Sequence, residues 1–235
     1  MQYEKYTYKG LIIALVIIFL WSMSLYLFMS IEIVWTNPLM YLFVAIQTHL
    51  YTGLFITTHD SIHGVVAPSH PRINRFIGVL TATLFLFNPY HVLEKKHQEH
   101  HKHVNTDDDP DVHQGPFFVW LFKFMMQYIK WYQLLAASIA YNLLKPYFPA
   151  ENLILFWMLP SFLSTLQLFV FGTYLPHRGD HRHTTQSRSQ NKNHLLAFFS
   201  CYFFGYHHEH HAFPHLPWWM LPQAKEIVIS KKQYL

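Results

Sequence analysis

Three short runs of histidine have spacings that suit metal binding: His59 and His63, then His97, His100 and His101, then His207, His210 and His211. On a helix, residues three and four apart share a face, so each run aims its imidazoles one way. Imidazole is a ligand for iron, copper, zinc and nickel, and eight of them exceed the needs of one ion, so the count points to two metals side by side. A single histidine in such a pattern is ordinarily a hydrogen-bonded polar side chain. Three runs at the same predicted membrane face are not explained that way. The one cysteine, Cys201, excludes an intrachain disulfide and any cysteine-based zinc or iron–sulfur centre, so a metal here is held by nitrogen and oxygen.

The elements that must present these runs are membrane helices. Charged residues are only 13% of the 235, and residues 10–29 form an uncharged apolar run long enough to cross a bilayer. A second run, 38–58, follows a loop too short for a domain, so the two form a hairpin; 152–176 is a third. Residues 117–144 are apolar and aromatic but carry Lys123 and Lys130, which fits a membrane helix whose charges face protein or the interface, or an in-plane helix; a further span is the favoured reading. Residues 73–87 and 194–205 are too short to cross and read as interfacial or re-entrant helices. The expected fold is therefore an all-α integral membrane protein with about four transmembrane helices in two hairpins, interfacial helices and a histidine-rich cap, all one domain over residues 1–235. In this scheme 14 of the 17 lysines and arginines fall on the side that holds both termini and the histidine runs, which places the cap and termini in the cytoplasm. The same asymmetry accounts for the net charge of +4 without nucleic acid. His49 lies ten residues before His59, on another face, and reads as a satisfied core histidine.

Ligating histidines usually donate their second N–H to a carboxylate or carbonyl. Asp60, Glu99 and Glu209 lie inside the runs, and Asp107, Asp108, Asp109 and Asp111 follow the second run. Asp60, Glu99, Asp108, Asp111 and Glu209 are the candidates for orienting ligands; the alternative for 107–111 is a solvated acidic turn ended by Pro110. The chain carries no nucleotide or flavin fingerprint, so a redox reaction here needs an external reductant.

The HxxxH, HxxHH and HxxHH series between membrane hairpins resembles the membrane fatty acid desaturase and hydroxylase superfamily. Finer features are similar to the bacterial β-carotene ketolase branch: Thr57-Thr58-His59-Asp60-Ser61-Ile62-His63-Gly64, Tyr90-His91 through His97-Gln98-Glu99-His100-His101, Asp108-Asp109-Pro110-Asp111, Phe171-Gly172-Thr173-Tyr174-Leu175-Pro176-His177-Arg178, Gly205-Tyr206-His207-His208-Glu209-His210-His211 and Pro217-Trp218-Trp219-Met220-Leu221-Pro222. The match covers roughly residues 50–222. This resemblance implies two non-haem iron ions held by the eight histidines, with His177 as a ninth ligand. Related desaturases have an asparagine one turn earlier to hold a water, where this chain has Thr173.

The implied reaction is O2-dependent oxidation of the C4 methylene of β-ionone rings to a ketone, taking β-carotene through echinenone to canthaxanthin. It further implies a carotenoid substrate drawn from the membrane lipid, an electron donor such as a ferredoxin or cytochrome, and a bacterial inner-membrane location. Trp218 and Trp219 then read as an interfacial anchor near the substrate mouth. A carotenoid hydroxylase, a lipid desaturase and a histidine-rich metal transporter are the competing readings. His103, His208 and His215 are alternate ligands, while His181, His183 and His194 read as solvated or outer groups.

Overall fold

The computed structural model describes residues 4–179 and 185–232, and these are helical with no strand among them. His181 and His183 lie outside the described residues. Three helices are long and apolar enough to cross a membrane: α1 (Glu4–Met29, apolar over Tyr8–Met29), α2 (Pro38–Ile62) and a long third span, Ala150–His177. Pro38 opens α2 where its missing N–H costs nothing, and the Asn37 side chain caps it by accepting from Leu39 N at 3.0 Å. The mean hydropathy of α2 is lower than that of α1, 1.5 against 2.6. Its polar residues face inward: Gln47, Thr52, Thr57, Thr58, His59 and Asp60 are buried, while Leu42 and Ile46 are exposed.

Apolar packing alone holds lipid-embedded helices weakly, so interhelical hydrogen bonds matter here. Thr52 joins α2 to the third span through Ser164 (2.8 Å) and Gln167 Oε1 (2.6 Å), and Gln167 Nε2 donates onward to the Ser200 carbonyl at 2.5 Å. At the end away from the histidines, the buried Asn152 amide donates to the Phe28 and Ile31 carbonyls at 2.9 and 2.8 Å.

Helix α3 (Pro71–Leu84) runs antiparallel along the histidine end of α2. Asn74 Nδ2 donates to the Ser61 carbonyl at 2.7 Å, Thr81 meets Thr58 at 2.8 Å, and Phe85 reaches Tyr51 at 5.5 Å between ring centroids. Its other face exposes Ile73, Phe76 and Val79. That is the amphipathic form expected of an apolar stretch too short to cross. The two helices approach closely because position 78 is glycine; a Cβ there would strike Ser61 and the Tyr90 ring. Helix α4 (Tyr90–His103) then returns to the histidine end.

Residues 117–144 differ from the continuous span expected of them. They form α5 (Phe117–Tyr128) and α6 (Trp131–Leu144), of 12 and 14 residues, with extended backbone at Ile129 and Lys130 between them. Neither helix alone reaches about 30 Å at 1.5 Å per residue. Together they still carry the chain from the histidine end, where Trp120 Nε1 donates to the Asp111 carbonyl, towards the far end where Asn152 is anchored. The interruption brings Gln133 against the α3–α4 turn, where its amide donates to the Leu86 carbonyl (3.2 Å) and to Asn88 Oδ1 (3.1 Å). Phe118, Phe122, Met126, Leu134, Leu135, Ile139 and Leu143 face outward along both helices.

Asn152→Ala leaves a buried carbonyl, that of Phe28, and a part-buried one, that of Ile31, without this donor. It should destabilise the bundle by about 1–3 kcal/mol, seen as a lower thermal unfolding midpoint in detergent than that of Asn142→Ala.

Candidate metal centre

The last turn of α2 carries His59, and His63 caps that helix; α4 carries His97, His100 and His101 on one face; a short helix, His207–Ala212, carries His207, His210 and His211. His177 closes the third span. The imidazoles assemble as two groups of four, His59, His63, His97 and His210 in one and His100, His177, His207 and His211 in the other, with the ligand atoms of each group within 4.8 Å of one another. His101 lies between them, its ring 4.4 Å from that of His211 and 4.9 Å from that of His63. All nine predicted ligands are thus brought together.

Nitrogens held about 2.1 Å from a shared ion in adjacent octahedral positions would be about 3 Å apart. The Nε2 atoms of His63 and His97 are 2.7 Å apart, those of His100 and His211 3.1 Å, and those of His207 and His211 3.0 Å. His101 and His210 bring their Nε2 atoms to 3.0 Å between the groups. Burial pushes the pKa values of His97, His207, His210 and His211 well below the usual imidazole value, and neighbouring imidazoles add to the effect. Burial lowers His63 to about 4 and, with the charges of His63 and His100, His101 to about 3. These rings are therefore neutral at physiological pH, the form that coordinates a metal. Neither nitrogen of the buried His59 has a hydrogen-bond partner, an expensive state unless a ligand completes it. The donor set suits two nitrogen-ligated ions.

His100 behaves differently. Burial opposes its charge, but the hydrogen bond it donates to Asp109 and the charges of Asp111 and Asp109 outweigh burial and raise its pKa. Its Nδ1 lies 2.9 and 3.0 Å from the two Asp109 oxygens, which fixes Nε2 towards the metal side. Asp109 was not among the expected orienting carboxylates. Asp108, which was, is exposed at the surface. The choice follows from local backbone: Asp109 Oδ1 accepts from Asp111 N at 2.9 Å across Pro110, an Asx turn that folds Asp109 inward. The Asp-Pro pair was the available signal.

The other carboxylates are placed as follows. Asp111 is buried and accepts from the Tyr128 hydroxyl; burial raises its pKa to about 6, with the His100 charge pulling against it. Glu99 points to Lys96 (3.0 Å) and Lys95 (3.9 Å) rather than into the histidines. Glu209 is buried against Lys225 (3.2 Å) and Ser189. Asp60 Oδ2 accepts from Trp218 N at 3.0 Å, and its other oxygen lies 3.5 Å from His59 Nδ1.

Trp218 and Trp219 are not among the residues that line the cavity beside the histidines. Trp218 packs on Tyr202 and Phe203, and Trp219 receives Lys9 over its ring at 4.0 Å, fastening the C-terminal segment to α1 and α2. His49 is also not satisfied as expected: it stacks on Tyr202 at 4.3 Å, and its two nitrogens lack hydrogen-bond partners. His208 turns to Thr185, His103 and His215 are exposed, and His194 bridges Tyr206 and Glu226.

A cavity of about 450 Å³ adjoins the histidines, with His59, His97, His100 and His207 in its wall. Phe55, Phe85, Phe124, Leu168 and Phe204 line much of the remainder, and its outer end lies at Leu134, Ile154, Met158 and Phe162. Two of these, Ile154 and Phe162, are about half exposed on the outer face of the third span. That span is wound as π-helix at Leu153–Met158 and Phe169–Tyr174, and both turns contribute to the wall. Such turns commonly re-aim side chains at functional sites. Gly172, in the second, leaves room for the Phe204 ring, which packs 4.8 Å from His59. The contribution of α5 and α6 to the wall was not foreseen, because aromatic residues in an apolar run look alike whether they face lipid or a cavity.

The Fatty acid desaturase family model matches residues 34–149 and 114–233. Over 187 residues the chain is 41% identical to a zeaxanthin 4-ketolase of Chlamydomonas reinhardtii, covering 76% of this chain and 42% of that protein. It is 40% identical over 186 residues to a β-carotene ketolase of Paracoccus sp. (strain PC1), covering 76% of each. A β-carotene ketolase of Haematococcus lacustris is 36% identical over 192 residues, with 76% of this chain and 59% of that protein covered. The chain thus spans less than half the length of the Chlamydomonas relative. The chain belongs to the fatty acid desaturase family, in its β-carotene ketolase branch.

Asp109→Ala should weaken metal binding about 10–100-fold, measured as the chelator concentration that strips half the metal, while Asp108→Ala should leave it unchanged.

Proposed function

We propose that this chain is a membrane di-iron oxygenase that converts the C4 methylene of a β-ionone ring to a ketone, taking β-carotene through echinenone to canthaxanthin. The observation that carries this reading is the apolar cavity that runs from the outer, lipid-facing side of the third span to the wall of imidazoles. A hydrocarbon such as β-carotene dissolves in the bilayer and needs that kind of entrance.

His59, His63, His97, His100, His101, His177, His207, His210 and His211 would hold the two irons, which when bound supply O2 activation and abstraction of hydrogen from the ring carbon. Each round takes one O2, two electrons and two protons, puts one oxygen atom into a C–H bond and releases the other as water. A second round at the same carbon gives a geminal diol, and loss of water leaves the ketone. The protein's part is to exclude water, pack the ring and hold the carbon against the imidazole wall. Phe55, Phe85, Phe124 and Phe204 supply the packing surface. Asp109 keeps His100 in one tautomer.

The electrons come from a separate donor such as a ferredoxin or cytochrome. In this reading α5 and α6 together make a fourth, broken crossing. The histidine end faces the cytoplasm, a reading that the lysine and arginine distribution supports, in a bacterial inner membrane.

Cells that make β-carotene should accumulate 4-keto pigments when they express this chain, with the mono-ketone first. Accumulation of 3-hydroxylated pigment or of desaturated fatty acids alone would assign it to a sister activity. The purified protein should contain about two irons per chain; one zinc and no iron would overturn the di-iron reading. His177→Ala should lose iron and activity together, whereas His49→Ala should keep its metal.

A further inference from the structure

Tyr128 stands where the substrate cavity meets the carboxylates behind His100. Its ring is part of the cavity wall beside Phe124, the centroids 4.9 Å apart, and its hydroxyl donates to Asp111 Oδ1. The other oxygen of Asp111 lies 3.9 Å from His100 Nδ1. The acidic loop is otherwise fastened at different atoms: Asp109 accepts from the backbone N–H groups of Asn105 and Asp111, each at 2.9 Å, and Trp120 Nε1 donates to the Asp111 carbonyl at 2.7 Å. Those bonds hold the loop at backbone atoms and at Asp109, and the Asp111 carboxylate is held by the phenol. Asp111 is only 8% exposed, so water does little to screen where its charge points.

We propose that Tyr128 is a positioning residue that acts through Asp111 to set the field at His100, and so ties the wall against which the substrate packs to the His100 group of ligands. The substrate half of this inference rests on the ketolase reading above; the link to His100 does not. A ring entering the cavity packs on the same side chain that holds the carboxylate. A filled cavity would therefore be felt at the ligand group served by His100, His177, His207 and His211.

The test compares Tyr128→Phe, which keeps the wall and removes the hydroxyl, with Tyr132→Phe, an exposed tyrosine outside the cavity, in iron-loaded protein. Tyr128→Phe should keep the wild-type iron content, shift the Mössbauer signal of one of two iron environments, and reduce the rate of ketone formation by about 10–100-fold, the range for loss of an outer hydrogen-bond partner. Tyr132→Phe should match wild type in all three. Asp111→Asn should show the same spectral shift, and adding Tyr128→Phe to it should change little further, because both act through one carboxylate. A Tyr128→Phe spectrum superimposable on wild type at full iron content overturns the proposal. Should Tyr128→Phe lose its iron, Asp111→Asn decides, and an unchanged spectrum there overturns it equally. If wild-type protein makes no ketone, the ketolase reading falls while the spectral comparison still decides this one.

Discussion

The structure depends on gathering nine imidazoles, most of them buried and neutral, at one end of a lipid-embedded bundle. Such a cluster cannot drive its own assembly. Burial makes protonation costly, and lone pairs that face one another at about 3 Å repel or share too few protons until an ion takes them. The scaffold must therefore be held from elsewhere. The Thr52–Ser164–Gln167 bridge ties α2 to the third span below the site, and Asn152 fastens that span to the end of α1. With those bonds made, His59 and His177 arrive at the same level from different helices, and α4 and the 207–212 helix need only cover them.

This explains how much of the site was legible in the sequence. The three runs are local: helical spacing alone gives each a common face, so His59 with His63 or His207 with His210 could be paired without knowing the fold. His177 could be included only through a likeness to known proteins, because its position depends on the length and winding of a 28-residue helix. Two π turns in that helix change which residues face inward, and neither Leu153–Met158 nor Phe169–Tyr174 advertises this in its composition. Asp109 and Asp108 are chemically identical, and only the Asx turn at Pro110 separates the buried one from the exposed one.

Where reasoning from hydropathy fell short, the cause was that lipid and cavity are both apolar. Residues 117–144 look like one span because Phe, Met and Leu are equally at home against lipid and in the wall of an apolar cavity. The structure uses them for both, with Phe118 and Phe122 outward and Phe124 and Tyr128 inward. The extended Ile129–Lys130 link lets the two halves serve different neighbours, α5 the acidic loop through Trp120 and Tyr128, α6 the α3–α4 turn through Gln133. A continuous helix would have one fixed phase for both.

Trp218 does something its aromatic side chain does not advertise: its backbone N–H serves Asp60 inside the first histidine run, and Lys225 further on serves Glu209 inside the third. Two of the carboxylates within the runs, Asp60 and Glu209, thus receive the C-terminal segment, while Glu99 turns to Lys96 and Lys95 on its own helix. A helix of the H-x-x-x-H or H-x-x-H-H type has one face for ligands, and a charged residue between them necessarily projects from another. Asp60 and Glu209 are buried because residues 217–225 come back to cover them. The C-terminal segment therefore belongs to the site's construction even though it supplies no ligand: without it, Asp60 would lose the Trp218 N–H and Glu209 the Lys225 ammonium, two donors to buried carboxylates beside the first and third runs.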